Sequence, residues 1–447
     1  MHNKNKTNCT TLLIELSLYD ILRMGDMMER YYKRIMDKVL EDELKAFGAV
    51  LINGPKWCGK TTTAKQYVKS TLNMQDPSQK SNYLKTAKIN PLILLQGETP
   101  RLIDEWQIAP ELWDAIRHDI DEKQKEGLYI LTGSSKVDES KISHSGVGRI
   151  SRVLMRTMSL FESKDSNGTV SLSDLFDSKS FDMSKSNLSI NDIAKLIVRG
   201  GWPNSIGKDI KIAMKQVSGY IQAIVKTEIK TVDGVERDEA KTLAVLKSLA
   251  RHTATQATDA KIVSDVESNH YSIHRNTLSD YLKVLRELYV IEDLPAWSPK
   301  LRSKTTIRTS NTRHFIDPAF AASLLDATPD DLLRDIETLG LLFESLVIRD
   351  LRVYTDYLGG YVSHYRDKTG LEADAIIHLN DGRWAAIEVK LGSHDIDEAA
   401  KHLNDLVSKV DIKEGTGPSF LMVITGTEFG YRREDGVYVV PIGCLKY

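Results

Sequence analysis

The chain has 447 residues, a formal net charge of −2, and 41% hydrophobic and 27% charged residues, as ordinary globular proteins do. This length exceeds one hydrophobic core of typical size and predicts two or three domains. The near-neutral charge excludes a globally basic nucleic-acid binder, and the three scattered cysteines exclude a disulfide framework or a cysteine-based zinc site.

The first third of the chain has the pattern of an α/β domain. Residues 1–24 predict a flexible extension without a signal-peptide pattern, and the apolar residues that follow have helical spacing up to Gly48. Residues 49–54 (AVLING) predict a buried strand. Strands and helices alternate to about Glu162, which indicates a parallel sheet, so we assign residues 25–162 to a first domain. No apolar run reaches the ~18 residues that cross a bilayer, so we expect a cytoplasmic protein without a membrane partner.

A phosphate-binding loop follows this first strand. Residues 54–61 read GPKWCGKT and match the pattern G-x-x-x-x-G-K-[ST] between a strand and a helix. In such a loop the backbone N–H groups surround phosphates, the lysine reaches the β- and γ-phosphate oxygens, and the hydroxyl binds Mg²⁺. The sequence therefore predicts a site for ATP and Mg²⁺, with Lys60 as a catalytic residue and Thr61 as a metal ligand. The predicted nucleotide contacts are Gly54, Pro55, Lys56, Trp57, Cys58, Gly59, Lys60, Thr61 and Thr62.

Two further strand ends carry polar side chains. The sequence LIDEWQ predicts a strand that delivers Asp104 to Mg²⁺, with Glu105 as the catalytic residue that polarises the attacking water. An ordinary acidic turn is the alternative for this pair. The sequence LTGSS predicts a third buried strand, from which Thr132 or Ser134 would sense the γ-phosphate.

These motifs resemble those of bacterial and archaeal AAA-type P-loop ATPases that carry a C-terminal domain of uncharacterised role. The similarity continues through HSGVGRISRVLMRTMSLFES (residues 144–163) and VRGGWP (residues 198–203). The resemblance implies ATP use and homo-oligomers in which an arginine from a neighbouring subunit completes the nucleotide site. Arg149 and Arg152 are candidates for that arginine, and a structural role is the alternative for each.

The middle of the chain predicts a linker and a helical module. Residues 163–191 are rich in Ser, Asp and Lys and predict a polar linker or a surface insertion. Residues 192–316 have the order of a helical and winged-helix domain. In DNA-binding winged helices the third helix enters the major groove, and His274, Arg275 and Asn276 at its start would contact the bases.

A basic segment follows that helix. It has no acidic residue, and it suits contact with the phosphates of DNA or RNA. The alternative is that the whole module packs between the two outer domains. The basic residues of the segment are Lys300, Arg302, Lys304, Arg308 and Arg313.

The strand RWAAIEVKL near the C-terminus faces an acidic strand, LEADAIIHL. A turn ending at Gly382 predicts a hairpin, and pairing of Leu379 with Arg383 places Asp374 opposite Glu388. Opposed Cβ atoms lie about 5 Å apart, so two uncompensated carboxylates would repel there. A divalent cation between them would remove that repulsion.

Residues 317–447 follow the order αβββαβ, which resembles the core of PD-(D/E)xK nucleases. The resemblance implies a second Mg²⁺ or Mn²⁺ bound by Asp374 and Glu388, with the helical acid Glu344 as a third metal ligand and Lys390 as a catalytic lysine. Glu388 is the second predicted catalytic residue of this site. The alternatives are a salt bridge between Glu372 and Lys390, and a nuclease fold that has lost cutting.

The sequence thus predicts an α/β multidomain ATPase that binds MgATP and regulates binding or cleavage of nucleic acid. One rival interpretation is a non-cutting, ATP-dependent switch that binds DNA or a protein partner. Another is an ATPase without any nucleic-acid role, in which the C-terminal domain is purely structural.

Overall fold

The computed structural model describes residues 31–134, 145–232, 234–298, 310–410 and 417–447. The predictions for residues 1–24 and for Lys300, Arg302, Lys304 and Arg308 therefore lie outside the described residues. Within these ranges, no helix has the length and apolar character that a membrane-spanning segment needs.

A parallel sheet forms the N-terminal part of the protein. Its strands and helices are α1 (Ile35–Ala46), β1 (Ala49–Asn53), α2 (Lys60–Ala64), β2 (Ser70–Asn73), α3 (Lys80–Ile89), β3 (Arg101–Asp104), α4 (Glu111–Lys123), β4 (Tyr129–Thr132) and β5 (Ile150–Leu154). The five strands lie in the order β2-β3-β4-β1-β5, and every neighbouring pair is parallel. The prediction of an α/β parallel sheet is confirmed.

Both faces of this sheet are buried, which explains why its strands are continuous apolar runs. Leu51, Ile103 and Leu131 pack on the face covered by Trp113 of α4. Alternate residues of the same strands pack toward Leu40 of α1 on the other face. Because β4 lies between β1 and β3, the carboxyl ends of these three strands meet at one edge, where ligands bind in open α/β sheets.

The middle of the chain is mainly helical. Its elements are β6 (Val170–Ser171), α5 (Leu172–Phe176), β7 (Met183–Lys185), α6 (Ile190–Arg199), α7 (Ile210–Ala223), a π-helical turn (Ile224–Glu228), α8 (Ile229–Thr231), α9 (Glu239–Arg251), α10 (Asp259–Ser268) and α11 (Arg275–Glu287). Helices α9 to α11 are followed by two antiparallel bridges, Ile291 with Phe315 and Leu294 with Thr312. This is the predicted element order; the assignment to the winged-helix class stays a prediction.

A second, mixed sheet forms the C-terminal part. Its elements are α12 (Pro318–Leu324), α13 (Pro329–Arg334), α14 (Ile336–Leu358), β8 (Gly360–Arg366), β9 (Glu372–Leu379), β10 (Trp384–Lys390), α15 (Ile396–Lys409), β11 (Phe420–Thr425), β12 (Phe429–Arg432), β13 (Tyr438–Pro441) and β14 (Leu445–Lys446). The sheet has seven strands in the order β7-β12-β13-β11-β10-β9-β8, so it includes β7, while β14 pairs with β6 in a separate two-stranded sheet. The αβββαβ order from α14 to β11 is present, while its identity as a nuclease fold stays a prediction.

The polar segment 163–191 contains strands that pair with the C-terminal part, which does not fit a linker; the alternative of a surface insertion stays a prediction. Strand β7 pairs with β12 at the edge of the C-terminal sheet, and β6 pairs with β14. The Ser166 hydroxyl donates to the carbonyl of Leu445 (2.7 Å), and the Ser171 hydroxyl donates to that of Tyr447 (2.8 Å). A serine-rich composition is typical of a solvated loop. Here two of the serine hydroxyls instead donate hydrogen bonds to backbone carbonyls at the C-terminal strand.

The middle region packs against the C-terminal sheet, as the alternative interpretation of the module expects. Ala296 forms a parallel bridge with His364 of β8. The ring of Trp297 lies 4.8 Å from that of Trp384, centroid to centroid. Because Arg34–Tyr447 form one compact unit, the boundaries between the expected domains remain a prediction.

Candidate functional site

The loop after β1 turns through backbone conformations that its glycines permit. Gly54 has φ +147° and Gly59 has φ +103°. A Cβ atom on Gly54 would lie 2.1 Å from the carbonyl oxygen of Met155, so no other residue fits there. Lys60 is buried at the start of α2, and its Nζ donates to the carbonyls of Gly54 (2.9 Å) and Pro55 (2.8 Å). The lysine therefore lies within the curve of the loop.

The buried side chain of Arg34 donates hydrogen bonds to the phosphate loop and to the segment after β5. Nη1 of Arg34 donates to the carbonyl of Cys58 (2.7 Å), and Nε donates to Glu162 (3.0 Å). Cys58 is fully buried, and its Sγ donates to the carbonyl of Met155 (3.3 Å). Sequence reasoning missed Arg34, because the single signal is an isolated arginine before a helix.

The structure brings Thr61, Asp104 and Thr132 together at the predicted sheet edge. Oδ1 of Asp104 accepts a hydrogen bond from the Thr61 hydroxyl (2.7 Å) and another from the Thr132 hydroxyl. The carboxylate and the Thr61 hydroxyl supply hard oxygen donors, which suit Mg²⁺. Thr132 supports Asp104 here, whereas its role as a γ-phosphate sensor stays a prediction.

Glu105 follows in a left-handed conformation, with φ +56°. Its Oε2 accepts hydrogen bonds from Nε2 of Gln107 (2.5 Å) and from the Ser134 hydroxyl (3.4 Å). A non-glycine residue at positive φ is uncommon and costs energy that surrounding contacts must offset. Gln107, inside the LIDEWQ motif, is a site residue that sequence reasoning missed.

The two candidate arginines lie apart from this phosphate loop. Arg149 precedes β5, and its carbonyl accepts from the N–H of Ala49 at the start of β1, so it lies at the opposite edge of the sheet. Its side chain pairs with Asp121 (2.8 Å). Arg152 lies over the ring of Trp113 at 5.1 Å. Neither arginine completes the site of its own chain, and a role in a neighbouring subunit stays a prediction.

The C-terminal hairpin has the predicted register. Residue pairs run from Trp384 with His378 to Ile387 with Ala375, which carries Asp374 to a position opposite Glu388. Gly382 has the left-handed conformation expected of the turn, with φ +92°. The hairpin prediction is therefore confirmed at the level of the backbone.

Three side chains of this hairpin, Asp374, Glu388 and Lys390, form a carboxylate–lysine cluster. Oδ2 of Asp374 accepts from the N–H of Val389 (2.7 Å), and Nζ of Lys390 lies 2.9 Å from Oε2 of Glu388. Burial and the neighbouring Asp374 charge raise the pKa of Glu388 to about 8. Burial also raises the pKa of Asp374, and burial together with the Asp374 charge raises the pKa of Glu344 well above its ordinary value. Because like charges repel at short range, Asp374, Glu388 and Glu344 do not all ionise readily at the same time.

The alternative salt bridge between Glu372 and Lys390 is wrong. Glu372 forms an ion pair with Arg366 (3.1 Å), while Lys390 pairs with Glu388 on its own strand. In the parts of the chain that the structure describes, no three His, Cys, Asp or Glu side chains come close enough to enclose a metal ion. Asp374 and Glu388 thus supply two carboxylates rather than a complete protein-derived cage.

The raised pKa of Glu388 predicts a pH-dependent stability. The folded chain binds this proton more tightly than the unfolded chain, whose pKa is near 4.5. The stabilisation is fully present below that value and is lost as the pH rises through about 8. In metal-free buffer, Glu388→Gln should raise the melting temperature by several degrees near pH 9 and change it little near pH 5. Glu372→Gln is the control, and equal shifts for both variants at each pH would contradict the prediction.

The predicted nucleic-acid residues of the middle region divide into two groups. His274, Arg275 and Asn276 are exposed at the start of α11, as base contacts would need. Arg313 is paired within the protein, with Asp259 at 2.5 Å and Asp293 at 3.1 Å. Its assignment as a phosphate contact is wrong, because both ion pairs hold it in a largely buried position.

Comparisons with known proteins agree with the N-terminal geometry. Residues 46–164 match a family described as an AAA domain. Residues 190–331 match one domain of unknown function (DUF8612), and residues 339–445 match another (DUF4143). The nuclease resemblance therefore stays a prediction. A search of curated proteins gave no match.

Two solved structures show a limited likeness. The Walker-type ATPase of Pyrococcus abyssi is 16% identical, with a TM-score of 0.41, over 67% of this chain and 97% of that one. A STAND signal-transduction ATPase with a tetratricopeptide-repeat sensor, from Pyrococcus horikoshii, is 13% identical, with a TM-score of 0.21, over 72% of this chain and 48% of that one. Scores this low do not establish a shared overall fold. By its family match and its phosphate loop, the N-terminal part of this chain is a P-loop ATPase domain of the AAA type.

Proposed function

We propose that the ATPase domain binds MgATP and controls a metal-dependent phosphodiesterase site in the C-terminal sheet. At the first site, Lys60 binds the β- and γ-phosphate oxygens, and Glu105 orients the attacking water. Thr61 and Asp104 hold Mg²⁺, which when bound supplies charge neutralisation for the phosphates. The contact of 2.7 Å between Thr61 and Asp104 supports this assignment.

At the second site, Asp374, Glu388 and Lys390 act on the phosphodiester backbone of a nucleic acid. The proposal rests on one observation: the buried carboxylate of Glu388 and the half-buried carboxylate of Asp374, both with raised pKa values, lie beside Lys390 on adjacent strands. A divalent cation bound there would offset the carboxylate charges and supply Lewis-acid activation of water. Lys390, whose ammonium is 2.9 Å from Glu388, stabilises negative charge as it develops on the phosphate.

Two carboxylates are enough for such a site when the substrate is a phosphate ester. Mg²⁺ commonly keeps several waters and binds through one or two carboxylates together with substrate phosphate oxygens. Asp374 and Glu388 would be the protein ligands. Glu344 faces both from α14, and its raised pKa suits it to hold a proton nearby rather than to add a third negative charge.

Control by ATP is supported by contacts that join the phosphate loop to α14. Arg34 binds both the loop carbonyl of Cys58 and the carbonyl of Arg156 (2.9 Å). The guanidinium of Arg156 in turn pairs with Asp356 (2.5 Å) on α14, the helix that carries Glu344. A change in the phosphate loop therefore has a hydrogen-bonded route to the helix beside the carboxylates.

Titration with Mn²⁺ in the absence of nucleotide tests the second site. We expect Glu388→Gln to weaken Mn²⁺ binding at least about tenfold, because even second-shell changes at metal sites cost that much. Glu372→Gln, on the neighbouring strand and paired with Arg366, is the matched control and should bind as wild type does. If calorimetry shows the same Mn²⁺ affinity for wild type and Glu388→Gln, the proposed metal site is refuted.

The exposed start of α11 supports a second candidate function. His274, Arg275 and Asn276 present donors and a positive charge to solvent at the place where a recognition helix contacts DNA. Under this alternative the chain is an ATP-dependent regulator that binds DNA without cutting it. Salt-sensitive DNA binding that Arg275→Ala weakens, with no cleavage, would favour the regulator.

A further inference from the structure

One residue of the phosphate loop, Lys56, is held by the helical region on all of its polar groups. Its N–H donates to the hydroxyl of Tyr220 (2.8 Å), and its carbonyl accepts from Nε1 of Trp202 (3.2 Å). Its ammonium pairs with Glu228 at 2.6 Å. Tyr220 and Trp202 are buried, so their two hydrogen bonds with Lys56 are shielded from water.

The next residue of the loop is in an unfavourable conformation that these contacts stabilise. Trp57 has φ +65°, in the left-handed region that bulky residues rarely adopt. Its side chain is 59% exposed, so core packing does not hold it. Its ring is tilted by 47° relative to the ring of Tyr220, with centroids 5.0 Å apart. Strain of this kind persists only where neighbouring contacts fix the backbone.

The motif VRGGWP, which the proposed function does not use, explains how the helical region reaches the loop. A Cβ on Gly201 would lie 2.3 Å from the carbonyl of Met158, so glycine is needed for this close approach. Trp202 follows directly and packs on Phe320 of α12, with ring centroids 5.0 Å apart. The indole is thereby fixed with its N–H directed at Lys56.

We propose that Tyr220, Trp202 and Glu228 are positioning residues of the ATPase site. They hold Lys56, and through it Trp57, so that the following N–H groups of the loop are arranged for phosphates before nucleotide binds. Glu228 ends a π-helical turn, Ile224–Glu228, a feature often found at functional sites. This inference extends the ATPase function and does not depend on the C-terminal site.

Tyr220→Phe tests the proposal, because it removes one hydroxyl and keeps the ring. We expect the Kd of ATP and of ADP to rise about twofold to tenfold, the usual range for one lost hydrogen bond. The turnover number at saturating ATP should stay within about twofold, because Tyr220, Trp202 and Glu228 contact the loop and not the attacking water. Tyr289→Phe is the matched control: this tyrosine is also buried, and its hydroxyl has no hydrogen-bond partner among the described residues.

A second variant separates positioning from general destabilisation. Glu228→Gln should also raise the Kd, and the double variant should lose less than the product of the two single effects, because both residues hold Lys56. Melting temperatures identify any variant that is merely unstable. Nucleotide affinities of Tyr220→Phe and Glu228→Gln equal to those of wild type and Tyr289→Phe would overturn the proposal.

Discussion

Lys60→Ala should lower the rate of ATP hydrolysis at least about 100-fold, since it removes the one loop side chain that neutralises the β- and γ-phosphate oxygens. Lys60 is buried within the loop and bonds the carbonyls of Gly54 and Pro55. Lys56, the other lysine of the loop, is paired with Glu228 (2.6 Å), so it does not replace the ammonium of Lys60. Phosphate release at saturating ATP measures the loss, and equilibrium binding of ATP shows how much of it is affinity.

Lys65→Ala is the control for this experiment. Lys65 directly follows helix α2, but its side chain is exposed, and it lies one turn beyond the loop. It should hydrolyse ATP within about twofold of wild type, as surface substitutions generally do. Hydrolysis by Lys60→Ala at the wild-type rate would contradict the assignment of the phosphate loop.

Arg349→Met should lower the free energy of unfolding by about 3–5 kcal/mol, because it leaves buried carboxylates without their counter-charge. Its guanidinium pairs with Asp317 (3.1 Å) and Asp350 (2.7 Å), and both carboxylates are fully buried. Burial already raises the pKa of Asp350, and loss of Arg349 would raise it further. Asp317 also accepts a hydrogen bond from the Thr157 hydroxyl (2.7 Å), so the substitution also weakens the attachment of the segment after β5.

Arg334→Met is the matched control, because Arg334 forms an exposed pair with Asp331 at 3.4 Å. Exposed pairs of this kind contribute about 0–1 kcal/mol. Denaturant unfolding of both variants gives the comparison. Equal unfolding midpoints for Arg349→Met and Arg334→Met would show that the buried cluster contributes no more than a surface ion pair.

The phosphate loop and the C-terminal hairpin could be predicted from sequence because local rules govern both. The loop pattern specifies two glycines, a lysine and a hydroxyl residue within eight positions, and the turn at Gly382 sets the register that brings Asp374 opposite Glu388. Alternation along the two strands then determines which side chains share a face. No long-range information is needed for either result.

Other features depend on contacts between distant segments, which composition does not reveal. The serines of residues 163–191 suggest a linker, yet they satisfy the backbone of the last strand. Arg313 looks like part of a basic surface until the fold places Asp259 and Asp293 beside it. Likewise, nothing local shows that Tyr220, about 160 residues after Lys56, accepts its N–H.

Cleavage assays test most directly whether the ATPase controls a phosphodiesterase site. Wild type and Lys390→Ala would be incubated with single-stranded DNA, duplex DNA and RNA, in Mg²⁺ or Mn²⁺, with and without ATP. We expect wild type to cut at least one substrate only with metal, at a rate that ATP changes, and Lys390→Ala to lose that cleavage. If wild type hydrolyses ATP but cuts nothing under any of these conditions, the carboxylate–lysine cluster is not a nuclease site, and the non-cutting regulator is the better description.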